Sequence, residues 1–207
     1  SNASVVFGPF DSTDSWGTED PRLTYDPETE RYYLLYNAWN GSRSSLSIAS
    51  TRDPTRADGW TRHGEAIPSR HKSYKSGAIV LRPAPAPHLL IWGADSDMWL
   101  APSIGRSLVS WNGSASTRLL GPRPQGACSG QPCWDQYWVE PAMPPLVLST
   151  GDLLTFYNSF GHWNSSKGPH SGFQPGWVVL KGDDPTKVLA RATEPPSMSK
   201  PPSTWRW

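Results

Sequence analysis

Short apolar runs of four to eight residues, separated by turn residues, dominate this chain, and no stretch keeps a helical period. β-Branched and aromatic residues fill the runs, while Gly, Pro, Asn and Asp punctuate them, which is the signature of strands joined by tight turns. The pattern predicts strands at 23–26, 31–38, 46–51 and 60–63. A second set is expected at 78–82, 88–92, 98–103 and 116–120, and a third at 145–149, 153–159, 176–181 and 188–192. The sets correspond position by position. Tyr36-Asn37, Trp92-Gly93 and Tyr157-Asn158 close the second strand of each, and Trp60 and Trp111 recur about 50 residues apart.

A four-strand unit at that period predicts an all-β fold of β-propeller type, with about three blades in this chain. A sandwich would also supply many short strands but would not explain the matched places. Ser1-Asn2-Ala3 reads as a remnant of tag removal and is set aside. Residues 4–194 are assigned to the propeller, and the Pro/Ser-rich stretch 195–207 to a tail or the start of another blade. Closed propellers take about four to eight blades. Three would leave open sheet edges, so a fragment, a truncated relative or a partner-covered arc is expected, with self-association to cover the edges.

Composition narrows the function. Nineteen basic and 18 acidic residues give a net charge of +1, which supplies no electrostatic pull toward nucleic acid or an anionic membrane. Twelve Trp in a chain with 18% charged residues suit stacking on sugar faces, although most are expected in the core. Cys128 and Cys133 are spaced to close a small disulfide ring, and Asn40, Asn112 and Asn164 open Asn-x-Ser sequons. Together these favour an extracellular or secretory location. No metal site is expected, because no second Cys or His pair stands at ligand spacing.

The strongest chemical signal is Trp16-Gly17-Thr18-Glu19-Asp20-Pro21-Arg22, two adjacent carboxylates and an arginine placed just before an innermost strand. Such a strand end points into the axial cavity of a propeller, where a carboxylate serves as general acid if its surroundings raise its pKa. The plainer alternative is that Asp20 caps a turn while Arg22 pairs with Glu19 at the surface.

This segment resembles glycoside hydrolase family 130, whose members carry Gly-x-Glu-Asp-Pro-Arg before a blade, matched by Gly17, Glu19, Asp20, Pro21 and Arg22. The likeness continues through Lys75-Ser76-Gly77-Ala78-Ile79, Ile91-Trp92-Gly93-Ala94-Asp95 and Val139-Glu140-Pro141-Ala142-Met143-Pro144-Pro145. It extends to Leu153-Leu154-Thr155-Phe156-Tyr157-Asn158, Gly176-Trp177 and the segment from Asp184 to Arg191. The resemblance implies a five-bladed propeller with a β-mannoside site in its axial cavity. It further implies an inverting enzyme, hydrolase or phosphorylase, with Asp20 as general acid and Glu19 and Arg22 holding the mannosyl ring. In the phosphorylases the acid's proton passes through a hydroxyl of that ring.

Phosphorolysis needs a phosphate site, which the family builds with arginines, one near the end of the second strand of the second blade. Here that place reads Leu90-Ile91-Trp92-Gly93, which favours water as the nucleophile. An inverting hydrolase then needs a second carboxylate about 6.5–9.5 Å from the acid. Glu140 is the candidate base, with a structural acceptor at a strand start as the equal alternative. Lys75, Asp95, Asn158 and His162 are candidate sugar contacts, Trp16 a stacking platform, and Asp135 and His170 weaker candidates. The alternatives are a phosphorylase holding phosphate through Arg22, Arg82 or Lys75, and a non-catalytic carbohydrate-binding propeller. Five-bladed hydrolases of arabinosides or fructosides are more distant. No cofactor is implied, and inorganic phosphate would be a co-substrate only for a phosphorylase. The expected partner is an oligosaccharide. The family's members also run longer than this chain, with a blade on either side of the matched region, which puts turnover by this chain alone in question.

Overall fold

The computed structural model describes residues 4–67, 74–128, 133–160 and 173–196. Within them the chain is all-β: 13 strands form three antiparallel sheets, and the only helical turns are short 3-10 segments. The first sheet runs β1 (Gly17–Asp26), β2 (Arg31–Trp39), β3 (Ser44–Thr51) and β4 (Thr61–Glu65) in sequence order. The second repeats this with β5 (Tyr74–Val80), β6 (Leu89–Ala94), β7 (Asp97–Pro102) and β8 (Thr117–Leu120). The third contains β10 (Leu146–Val147), β11 (Leu153–Phe160), β12 (Phe173–Leu180) and β13 (Val188–Arg191), with β9 (Trp138–Pro141) also paired to β11. Three meandering four-strand units of this kind are propeller blades.

The period of two in the middle strands explains how the blades stack. On β2, Tyr33 and Leu35 face the second blade, whereas Leu34, Tyr36 and Ala38 face the other way. On β6, Leu90 and Trp92 pack toward the first blade and Leu89 and Ile91 toward the third. Both faces of these strands are buried, so they read as continuous apolar runs rather than alternating ones. Gly77 on β5 is a close-approach position: a Cβ there would lie 2.8 Å from Leu46 Cδ2 and 3.0 Å from Leu35 Cδ1. A side chain at Gly77 would force the Leu46 and Leu35 side chains to shift.

The outward face of the first blade is closed by the chain's own N-terminal arm. Phe7 packs edge-on against Tyr36 at 4.9 Å and Trp60 at 5.2 Å, and the Arg62 guanidinium lies 4.2 Å over the Phe7 ring. Arg62 also pairs with the buried Asp14 carboxylate at 2.5 Å. On the third blade, Leu146, Val147, Phe173, Val188 and Leu189 remain exposed.

The largest differences from the sequence expectation fall on the inner strands, which begin earlier than expected. β1 begins at Gly17 rather than 23, and β5 at Tyr74 rather than 78, so the Glu19-Asp20 pair and Lys75 lie inside strands, not ahead of them. The innermost strand of the third blade starts at Trp138, and residues 142–145 break it before β10. A one-residue bulge interrupts β1 between Glu19 and Arg22, and another interrupts β5 between Lys75 and Gly77. Each bulge shifts the alternation of side chains by one place, so a search for period two finds only the part beyond it. In β9–β10, Pro141, Pro144 and Pro145 withhold ladder donors and end the first piece.

Candidate active site

The innermost strands meet side by side, β1 against β5 and β5 against β9. Their registers place three charged residues at one level. Glu19 lies opposite Asn37, Lys75 opposite Gly93, and Glu140 opposite Asn158. Immediately after the first two come the bulge residues, Asp20 and Ser76, both in the left-handed region with φ of 50° and 56°. A non-glycine residue there costs on the order of 1–3 kcal/mol and persists only where its surroundings hold it.

What holds the first bulge is Arg22. Its Nη1 donates to the Asp20 carbonyl at 2.5 Å, its Nε to the Ala142 carbonyl at 3.0 Å, and its Nη2 to the Pro141 carbonyl at 3.1 Å. The side chain therefore straps β1 to the broken strand of the third blade, donating to carbonyls at the break. Burial pushes the guanidinium down from its usual range, against the opposing pull of the Asp20 and Glu140 charges. Arg22 is thus buried against backbone carbonyls instead of pairing with Glu19 at the surface.

Asp20 and Glu140 belong to one hydrogen-bonded chain. Asn37 Nδ2 donates to Asp20 Oδ2 at 2.7 Å, the Ser76 backbone N–H donates to Asn37 Oδ1 at 2.9 Å, and Ser76 Oγ donates to Glu140 Oε2 at 3.1 Å. Lys75 Nζ stands 3.5 Å from the same Glu140 oxygen and 4.4 Å from the centre of the Trp138 ring. Glu140 is buried, whereas Asp20 and Glu19 are exposed, so the pair presents one dry and one wet carboxylate. Gly93 makes room for Glu140: a Cβ on it would lie 3.5 Å from Glu140 Cβ and 3.1 Å from the Lys75 carbonyl.

The remaining predicted residues fall around this cluster or away from it. Asn158 is half-buried on β11, directly across from Glu140. Asp95 is exposed in the two-residue turn between β6 and β7, where it and Ser96 both have positive φ, as a type I′ hairpin requires. That turn touches the site strand, since the Ser96 carbonyl accepts the Val139 N–H at 3.1 Å. Trp16 is 74% exposed and lies against Gly41 in the β2–β3 turn, on the rim of the first blade. Arg82 lies two residues past Val80, beyond the far end of β5 from Lys75, and donates to the Asp183 carbonyl, away from the cluster around Asp20. Asp135 is buried among Arg191, Arg123 and Tyr157, a structural cluster in which burial pushes the Tyr157 phenol up to about 12. His162, Asn164 and His170 lie outside the described residues.

Cys128 and Cys133 form a disulfide, with Cα atoms 5.4 Å apart. Of the described sequon residues, Asn40 accepts the Ser42 and Arg43 N–H groups and Asn112 accepts that of Ala115, so each caps its own turn. Among the described residues no cluster of three His, Cys, Asp or Glu side chains is arranged to hold a metal ion.

Sequence reasoning missed Asn37, Ser76, Gly93 and Trp138 as members of the site. Asn37 and Gly93 had a signal: with Asn158 they occupy one register position across the three blades. Trp138 had none, because its strand was not expected.

Comparison with known proteins fits this geometry. A family model described as glycoside hydrolase 130, β-1,4-mannooligosaccharide phosphorylase, matches residues 1–203. Among solved structures, β-1,2-mannobiose phosphorylase from Listeria innocua aligns with a TM-score of 0.73 at 20% identity, covering 94% of this chain and 49% of that one. A glycosyl hydrolase from Bacteroides ovatus aligns with a TM-score of 0.73 at 22% identity, covering 92% and 56%. A structure from work on glycoside hydrolases that target β-1,2 mannosidic linkages in Candida mannan aligns with a TM-score of 0.70 at 25% identity, again covering 92% and 56%. Comparison with curated proteins gave no match. This chain thus spans about half the length of these structures and forms part of a five-bladed propeller. It belongs to glycoside hydrolase family 130.

Proposed function

We propose that this chain carries the acid–base part of the site of a β-mannoside hydrolase that inverts configuration, with Asp20 as general acid and Glu140 as general base. The observation that supports this most is the single hydrogen-bonded chain joining the two carboxylates through Asn37 and Ser76. In this reading Asp20 gives its proton to the departing glycosidic oxygen as the bond to the anomeric carbon breaks. Glu140 takes a proton from a water that attacks the opposite face, and the first product is α-mannose. Lys75 and the Ser76 hydroxyl hold the Glu140 carboxylate in place, and Trp138 offers an apolar wall beside it.

Water is favoured over phosphate because the cations that the inner strands bring to the cluster are already engaged. Arg22 is bonded to three carbonyls, and Lys75 is paired with Glu140. Phosphorolysis is the second reading, favoured by the description of the matching family model and by the phosphorylase from Listeria innocua. The partner in either case is a β-linked mannooligosaccharide. The Cys128–Cys133 disulfide and the sequons support a secreted, glycosylated protein.

Release of mannose from β-1,2- and β-1,4-mannobiose, at phosphate concentrations from zero to saturating, tests the assignment. Free mannose at a rate independent of phosphate is expected. Mannose 1-phosphate that appears only with phosphate would replace the hydrolase reading with the phosphorylase one.

A further inference from the structure

We propose that Asn37 is a positioning residue that locks the Asp20 carboxyl, so that Oδ2 is permanently an acceptor and the acidic proton is carried on Oδ1. The proposal rests on Asp20 being the general acid. Asn37 is fully buried on β2, between the two bulges. The bulge in β5 leaves Ser76 outside the strand ladder, and its freed backbone N–H donates to Asn37 Oδ1 at 2.9 Å.

That contact decides the rest. A backbone N–H only donates, so the Asn37 atom facing it must be the carbonyl oxygen. The amide nitrogen therefore faces Asp20, 2.7 Å from Oδ2, and an amide nitrogen likewise only donates. Oδ2 is thus an acceptor in both protonation states, and because the hydroxyl oxygen of a carboxylic acid is a much poorer acceptor than its carbonyl oxygen, this bond favours the proton on Oδ1. At this register position the second blade has Gly93 and the third Asn158, opposite Glu140. Orientation of this kind matters because a general acid acts only through a hydrogen aimed at the departing oxygen.

Two measurements test the lock. In a proton–nitrogen correlation spectrum of the chain, the Asn37 side-chain amide, identified by its loss in Asn37→Thr, is expected to shift in Asp20→Ala. It is expected to hold its place in Ser76→Ala, which keeps the backbone N–H. An amide signal that ignores Asp20→Ala overturns the proposal, whatever the turnover.

The second compares a mannobiose with 4-nitrophenyl β-mannoside, whose leaving group departs without a proton. Asn37→Thr and Asn37→Ala are expected to lower kcat on mannobiose by about 10- to 100-fold, KM staying within about twofold, while the nitrophenyl substrate is largely spared. Asp20→Asn should give the same split, only larger. Equal losses on both substrates for the Asn37 variants, with the split intact in Asp20→Asn, would overturn the positioning role alone. No split in Asp20→Asn would remove Asp20 as the acid.

Discussion

Replacing Arg22 by Lys separates a strap from a ligand-binding arginine. In the structure the guanidinium donates to the Ala142 and Pro141 carbonyls on the third blade and to the Asp20 carbonyl on its own bulge. A lysine keeps the charge but gathers its three N–H donors on one atom, so it cannot reach the three carbonyls that the guanidinium contacts from three separate nitrogens. Hydrogen bonds from charged groups contribute roughly 1.5–3 kcal/mol each. With one inter-blade bond lost and the bulge carbonyl loosened, the net destabilisation is about 2–4 kcal/mol. For a domain of this size each kcal/mol lowers Tm by about 2–4 °C, so a fall of roughly 5–15 °C is expected. Thermal melts followed by circular dichroism in buffer without sugar or phosphate supply the assay. A Tm within about 1 °C of the parent, together with loss of mannoside binding, would refute the strap and return Arg22 to the role of a sugar contact.

Gly93→Ala places a Cβ 3.1 Å from the Lys75 carbonyl and 3.5 Å from Glu140 Cβ. The strands must give by a few tenths of an ångström, and turnover is expected to fall tenfold or more while Tm drops by less than about 4 °C; unchanged turnover would show that Glu140 needs no such clearance. His88 Nδ1 accepts the Arg82 N–H at 3.0 Å, and burial, followed by the Arg106 charge, lowers its pKa below the ordinary 6.5. The unfolded chain then binds the proton more readily than the folded one. The urea midpoint should therefore hold above pH 6.5 and decline as pH falls through the region below it, with a shallower decline in His88→Asn. The apolar residues exposed on the third blade, Leu146, Val147, Phe173, Val188 and Leu189, lead us to expect self-association in sedimentation experiments, and a monomer at all concentrations would contradict it.

The blades were legible because their middle strands are buried on both faces. Runs such as Leu89 to Trp92 leave little choice of element, and turn residues mark their ends. The repeat was legible because the same register position recurs as Asn37, Gly93 and Asn158. The inner strands were read short, because their polar halves are bulged at Asp20 and Ser76 and the alternation there is out of step.

That same irregularity hid the site. Asn37 looked like the end of a strand, and only its contacts across to Ser76 of the next blade disclose its place between two carboxylates. Arg22 was visible as a charge beside two acids. Its partners, carbonyls about 120 residues further along the chain, are a product of blade packing that no local pattern encodes.

Proton magnetic resonance of the first product formed from a β-mannobiose, comparing the parent with Asp20→Asn, tests the central claim most directly. Hydrolysis by inversion predicts α-mannose as the initial signal, appearing without phosphate and lost in the variant. Initial β-mannose, or a rate that the variant leaves unchanged, would contradict the assignment of Asp20 and Glu140 as an inverting acid–base pair.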